Sequence, residues 1–205
     1  MNIEELIKKA EQFNIEQIRK YNPDMEHLHD LSFKAAMKLA KEYQADEKIV
    51  RIAIAMMDSK LPEANHLGIP KQHITMSKEA TQELIKDVSC LTDNEKENII
   101  KCVEEHHGVE EFYSIESEVC ANADCYKFVH PKGFLFYQSM LGRRLHNFAK
   151  ELEQLNFKLN EKHNAISLPL VKYELEPYYD FFQKSINESK LILIFINGEY
   201  QWKNI

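Results

Sequence analysis

The sequence predicts an all-α bundle with a β-hairpin at its C-terminal end, and three observations predict it. Between Ile49 and Met57 only Arg51 is polar, and a helix apolar nearly all round belongs in the middle of a domain. Only 5 of the 205 residues are glycine and β-branched runs are few, which favours helices. The chain is otherwise a succession of segments with apolar residues at helical spacing, separated by caps, prolines and glycines.

Taken in order, residues 2–20 form an amphipathic helix with Ile3, Leu6, Ile7, Ala10 and Phe13 on one side. Asn22-Pro23 starts the next, with Asn22 as cap and Pro23 in the first turn. It runs to about Tyr43 and turns Leu28, Leu31, Ser32, Ala35, Ala36, Leu39 and Ala40 inward. The central helix follows, capped by Asp46, with Glu47 in its first turn to suit the helix dipole. Pro62, Gly68 and Pro70 mark a loop. A helix over 75–88 places Ala80, Leu84, Ile85 and Val88 inward. Thr92 and Glu95 make a capping box that opens a helix to about His107, closed by Gly108. Further helices are predicted over 115–128 and 134–159, and from Pro169 to about Ser185 with Pro177 interrupting or kinking it.

The tail changes character. Leu191–Ile196 reads L-I-L-I-F-I, Asn197-Gly198 follows, and Glu199–Ile205 alternates polar with apolar residues. Asn-Gly between two strand-like runs is a strong hairpin signal. A lone hairpin is barely stable, so it must pack on the helices or on a second copy of the chain, which makes it a route to a homo-oligomer. The predicted organisation is one helical domain over 1–189 and a hairpin tail over 190–205.

Composition narrows the function. The chain is 44% hydrophobic and 29% charged, as a globular domain is. A net charge of -7 argues against nucleic acid as a partner, since such binders carry basic patches. It leaves room for a small anion held at a local site. Cys90, Cys102, Cys120 and Cys125 form no C-x-x-C or regular framework and read as free thiols of a reducing cytoplasm. The N-terminus lacks the core of a signal peptide, and no apolar run approaches membrane-spanning length. A cytoplasmic protein without membrane attachment is the expectation.

Several polar residues fall where helix faces point inward. Asp58 ends the apolar central helix, where an ionised carboxylate is costly unless it is paired or binds metal. His73 lies on the line of Ser77, Ala80 and Leu84. His106 and His107 end a helix whose inner face is Ile99, Ile100 and Val103, and the spacing puts both rings on that face. Asp124 stands among Cys120, Ala121 and Ala123, whose small side chains leave room beside a carboxylate. Imidazole and carboxylate together suit a borderline divalent ion such as Mn, Fe, Co, Ni or Zn.

In this order the residues resemble the HD-domain superfamily of metal-dependent phosphohydrolases. The resemblance covers about Pro23 to Tyr137. It rests on I-V-R-I-A-I-A-M-M-D-S-K-L-P at the centre, then I-I-K-C-V-E-E-H-H-G, then I-E-S-E-V-C-A-N-A-D. It implies an HD-like helical bundle acting on a nucleotide or another small phosphate ester through a metal site. The family's pattern departs at two points. The histidine of its H-D pair falls on Met57, and its first metal histidine falls on Leu28, with His27 and His29 on either side. A first ion would need two histidines and two aspartates, of which Asp58 and Asp124 remain, with His29 a further candidate. A second ion matches Asp58, His73, and His106 or His107. On this reading Asp58, Asp124 and Lys60 carry the chemistry: Asp58 as central ligand, Asp124 as ligand or water-orienting base, Lys60 as positive charge near the leaving group. The alternative is a catalytically degenerate HD fold kept as a binding or interaction module without metal.

Overall fold

The computed structural model describes residues 1–196, with side chains described to residue 189. The chain is helical throughout this range, with no strand among the described residues. The first helix, α1 (Ile3–Tyr21), opens on a capping box between Asn2 and Glu5. A 3-10 turn over Pro23–Met25 leads into α2 (Glu26–Glu42). Pro23 sits in the first turn as expected, but the Asn22 side chain makes no capping bond.

Helix α3 (Glu47–Met56) is the hub. Asp46 caps it by accepting from the Lys48 amide, and Ile49, Val50, Ile52, Ala53, Ile54, Ala55 and Met56 are all buried. Truncating Ile52 to alanine in such a place costs about 2–5 kcal/mol through lost transfer energy and the cavity left behind. The Asp46 amide donates to Glu116 Oε1 at 2.8 Å, which ties the start of α3 to a later helix.

Residues expected as loop instead form a short helix, α4 (Leu61–His66), with Pro62 in its first turn, where a missing N–H costs nothing. Gly68, at φ +75°, ends it. Next comes α5 (His73–Ile85), whose buried line is His73, Ser77, Thr81 and Ile85; Ala80 and Leu84 are half-buried. The Thr92–Glu95 capping box opens α6 (Asp93–Glu105), and Gly108 takes φ +94° just beyond it. Helix α7 (Ile115–Val129) follows as expected.

The helix expected over 134–159 is two. Helix α8 (Pro131–Leu145) ends at His146, whose φ of +47° is left-handed, and Asn147 caps α9 (Phe148–Asn164) through the Lys150 amide. Helix α10 (Pro169–Ile196) continues through Pro177 and takes in Leu191–Ile196, so that run is helical and not the first strand of a hairpin. Six apolar residues in a row fit either state. Extending a helix already begun adds one hydrogen bond per residue fixed, without the cost of a new nucleus. Asn197-Gly198, the second strand and the tail-mediated oligomer lie outside the described residues.

In space, α3 packs against α1, α2, α6 and α7, and α7 in turn contacts α2, α8 and α9. Among the described residues no helix is long and apolar enough to cross a membrane.

Candidate metal centre

The hub helix loosens at its last turn. Bonds of the i to i+3 kind, Ser59 N to Met56 O and Leu61 N to Asp58 O, replace the α-helical ladder. This releases Asp58 from the apolar column while Met57, one residue earlier, stays fully buried in the core. Two tethered rings meet Asp58. His73, at the start of α5, donates Nδ1–H to the Pro70 carbonyl at 2.7 Å. His106, at the end of α6, donates Nδ1–H to the Val103 carbonyl at 2.7 Å. A carbonyl only accepts, so each Nδ1 carries the proton, and in the neutral ring Nε2 presents a lone pair.

Both lone pairs face the same carboxylate oxygen. His73 Nε2 lies 3.5 Å and His106 Nε2 3.3 Å from Asp58 Oδ1. Neither contact has hydrogen-bond geometry, and His73 Nε2, His106 Nε2 and Asp58 Oδ1 are buried without a hydrogen-bond partner among the described residues. Three buried acceptor atoms converging on one point fit a cation. Metal-binding histidines commonly donate their other N–H to a backbone carbonyl, as both rings do here. His107 stacks edge-on to His106, ring centres 4.4 Å apart, and completes a group of four residues whose ligand atoms all lie within 4.8 Å of one another. A divalent ion fits this donor set.

The electrostatics keep the donors ready. Burial pushes His73 below its ordinary pKa against the pull of Asp58. Burial, with Lys162 and His106, pushes His107 down to about 3. Burial raises the Asp58 carboxyl, but Lys127 together with His106 and His73 outweighs it and holds Asp58 well below the usual carboxylate range.

Sequence reasoning missed two lysines. Lys127 donates to Asp58 Oδ2 at 2.6 Å and lies 2.8 Å from Asp124 Oδ1. Lys162, on α9 and 1% exposed, lies 2.5 Å from Asp124 Oδ2. Both Asp124 oxygens therefore face ammonium groups, and Asp124 is not in the four-residue group. The signal for Lys127 was its place in A-N-A-D-C-Y-K-F-V, a run with every residue from Val119 to Lys127 buried. Nothing local marked Lys162.

Other candidates lie elsewhere. His29 is half-buried beside Asn14, whose amide Nδ2 is 3.1 Å from His29 Nδ1, and desolvation with the Lys127 charge pushes its pKa down to about 4. Lys60 turns away from Asp58: its ammonium donates to Glu63 Oε2 at 2.6 Å and lies over the Phe13 ring. Leu28 is 5% exposed.

The centre opens on a cavity of about 1240 Å³. Asp58, His73, His107 and Asp124 line one part, Phe128, Tyr137, Phe157 and Met140 supply apolar wall, and Lys71, Arg143, Arg144, Lys158 and Lys162 supply positive charge. Among these cations Arg143 is paired with Asp24 and Lys158 with Glu161, whereas among the described residues Arg144 bonds only the neutral Gln154 amide.

No protein-family model matches the chain, and no curated protein matches it.

Proposed function

We propose that the chain is a metal-dependent phosphohydrolase of the HD type, acting on a small phosphate ester such as a nucleotide. The convergence of His73 Nε2, His106 Nε2 and Asp58 Oδ1, without hydrogen-bond partners among the described residues, carries this reading. Asp58, His73, His106 and His107 would hold one divalent ion of the Mn, Fe, Co, Ni or Zn class. Such an ion acidifies water and offsets charge on a phosphoryl group. Lys71 and Arg144 draw the anionic end of the substrate into the cavity, and its apolar walls take the rest. Asp124 holds Lys127 and Lys162 in place, so the positive charge beside Asp58 is fixed before substrate arrives. Lys60 has no part in this scheme.

One observation favours a second reading, a degenerate HD fold that only binds. Lys127 and Lys162 already neutralise Asp58 and Asp124 without any ion. One experiment separates the two. Metal-stripped protein is reloaded with each of the five ions, assayed for bound metal, and screened against p-nitrophenyl phosphate and nucleotides. The expected result is one ion per chain with hydrolysis, both lost in Asp58→Asn. No bound ion supports the binding module and overturns the metal-dependent reading, and an ion without hydrolysis overturns the hydrolase while leaving the ion site.

A further inference from the structure

Lys127 is out of place by every ordinary rule for lysine. It is 6% exposed, on a helix with every residue from Val119 to Lys127 buried. Its ammonium stands between two carboxylates, one in the turn after α3 and one on its own helix, 2.6 Å from Asp58 Oδ2 and 2.8 Å from Asp124 Oδ1. The two carboxylates hold the ammonium from two sides.

Two buried carboxylates sharing one cation is also the arrangement that holds a divalent ion. Carboxylate oxygens bind such ions at about 2.0–2.2 Å, somewhat closer than they stand to Nζ here. Asp58 divides its two oxygens between the two neighbourhoods: Oδ2 faces Lys127, and Oδ1 faces the histidines.

We propose that Lys127 is a built-in cation that occupies a metal slot between Asp58 and Asp124, closing that slot to a divalent ion. The ammonium neutralises the same two carboxylates that an ion would. It cannot leave, so the charge beside Asp58 is independent of metal supply. It also pins Oδ2, which keeps Oδ1 aimed at His73 and His106.

Lys127→Ala removes the side chain from Cγ to Nζ and leaves Asp58 Oδ2 and Asp124 Oδ1 without the ammonium between them. The inference uses the proposed ion site only for where any other ion would sit. Its readout is therefore the difference in metal stoichiometry between variant and parent, whatever the parent's count. Equilibrium dialysis against manganese should show one more ion per chain in Lys127→Ala than in the parent. Electron paramagnetic resonance should then report an exchange-coupled manganese pair in the variant, because Asp58 would touch both ions, or a single new ion if the parent binds none. Lys127→Met, which fills the space without charge, should gain no ion. If Lys127→Ala is unfolded without metal, folding on addition of manganese supports the proposal. An unchanged ion count in folded Lys127→Ala overturns it, as does a variant that stays unfolded at every manganese concentration. A parent that binds no metal removes the hydrolase reading and leaves this comparison intact.

Discussion

Asp124 and Lys162 are 2% and 1% exposed, and an ion pair so buried responds sharply when one partner is lost. With Lys162→Met, Asp124 and Asp58 are left to share the single ammonium of Lys127. An uncompensated buried charge costs on the order of 3 kcal/mol, and urea denaturation should show a loss of that size. Lys34→Met is the comparison. Lys34 pairs with Asp30, but their side chains are 72% and 59% exposed, and such pairs contribute about 0–1 kcal/mol. A loss at Lys162 no larger than at Lys34 would contradict the ion-pair cluster. At this scale the sequence was half legible. Asp58, His73, His106 and His107 could be found because each breaks the apolar face of its own helix. Lys162 lies on a helix rich in charge and carries no such mark, and pairing it with Asp124 needs the packing of α9 on α7. Lys60 shows the converse, since its neighbour Asp58 points into the centre and it does not.

Between helices, the backbone itself sets where Lys127 stands. A Cβ on Gly133 would lie 2.4 Å from the Lys127 carbonyl oxygen and 2.7 Å from that of Tyr126. Those are main-chain atoms, so Gly133→Ala must push the start of α8 away from the end of α7. Overpacking of this kind costs about 1–3 kcal/mol, and the melting temperature should fall accordingly. Gly142→Ala, on the same helix, should do the opposite. Its nearest atom would be Glu151 Oε2 at 3.4 Å, an ordinary contact, and alanine is favoured over glycine inside a helix by up to about 1 kcal/mol. Equal destabilisation by the two substitutions would contradict the close approach at Gly133. Element ends were legible wherever chemistry marks them: the Thr92–Glu95 box and Gly108 fall where expected. The break between α8 and α9 was not, because a left-handed histidine is uncommon and His146 carries no glycine to announce it. The run at 191–196 misled for a different reason, since periodicity cannot separate helix from strand in a short continuous apolar segment.

For the whole molecule, the central fact is that it buries titratable groups in their neutral or paired forms around one helix end. In an unfolded chain the histidines protonate near pH 6.5. In the folded chain burial holds His29 neutral down to about 4 and His107 down to about 3, and lowers His73 as well. Between those values and 6.5 the unfolded state binds more protons than the folded state, so stability falls as the pH drops through that window. Each fully linked proton contributes a slope of up to about 1.4 kcal/mol per pH unit. Partial exposure of His107, whose side chain is 35% accessible, reduces its share. The carboxylates act in the same direction lower down. Lys127 with His106 and His73 holds Asp58, and Lys127 with Lys162 holds Asp124, below the ordinary carboxylate range, so their contribution is present above about pH 4 and is lost as they protonate. Metal-free protein should therefore show a melting temperature nearly level from pH 8 to 7, declining below 6.5 and steepening below 4. Asp58→Asn should lose the carboxylate share of the low-pH decline while keeping the part due to His29. A melting temperature that stays level from pH 7 to 4.5 would mean that these rings are not held neutral by burial, and the geometry assigned to the centre would fail with it.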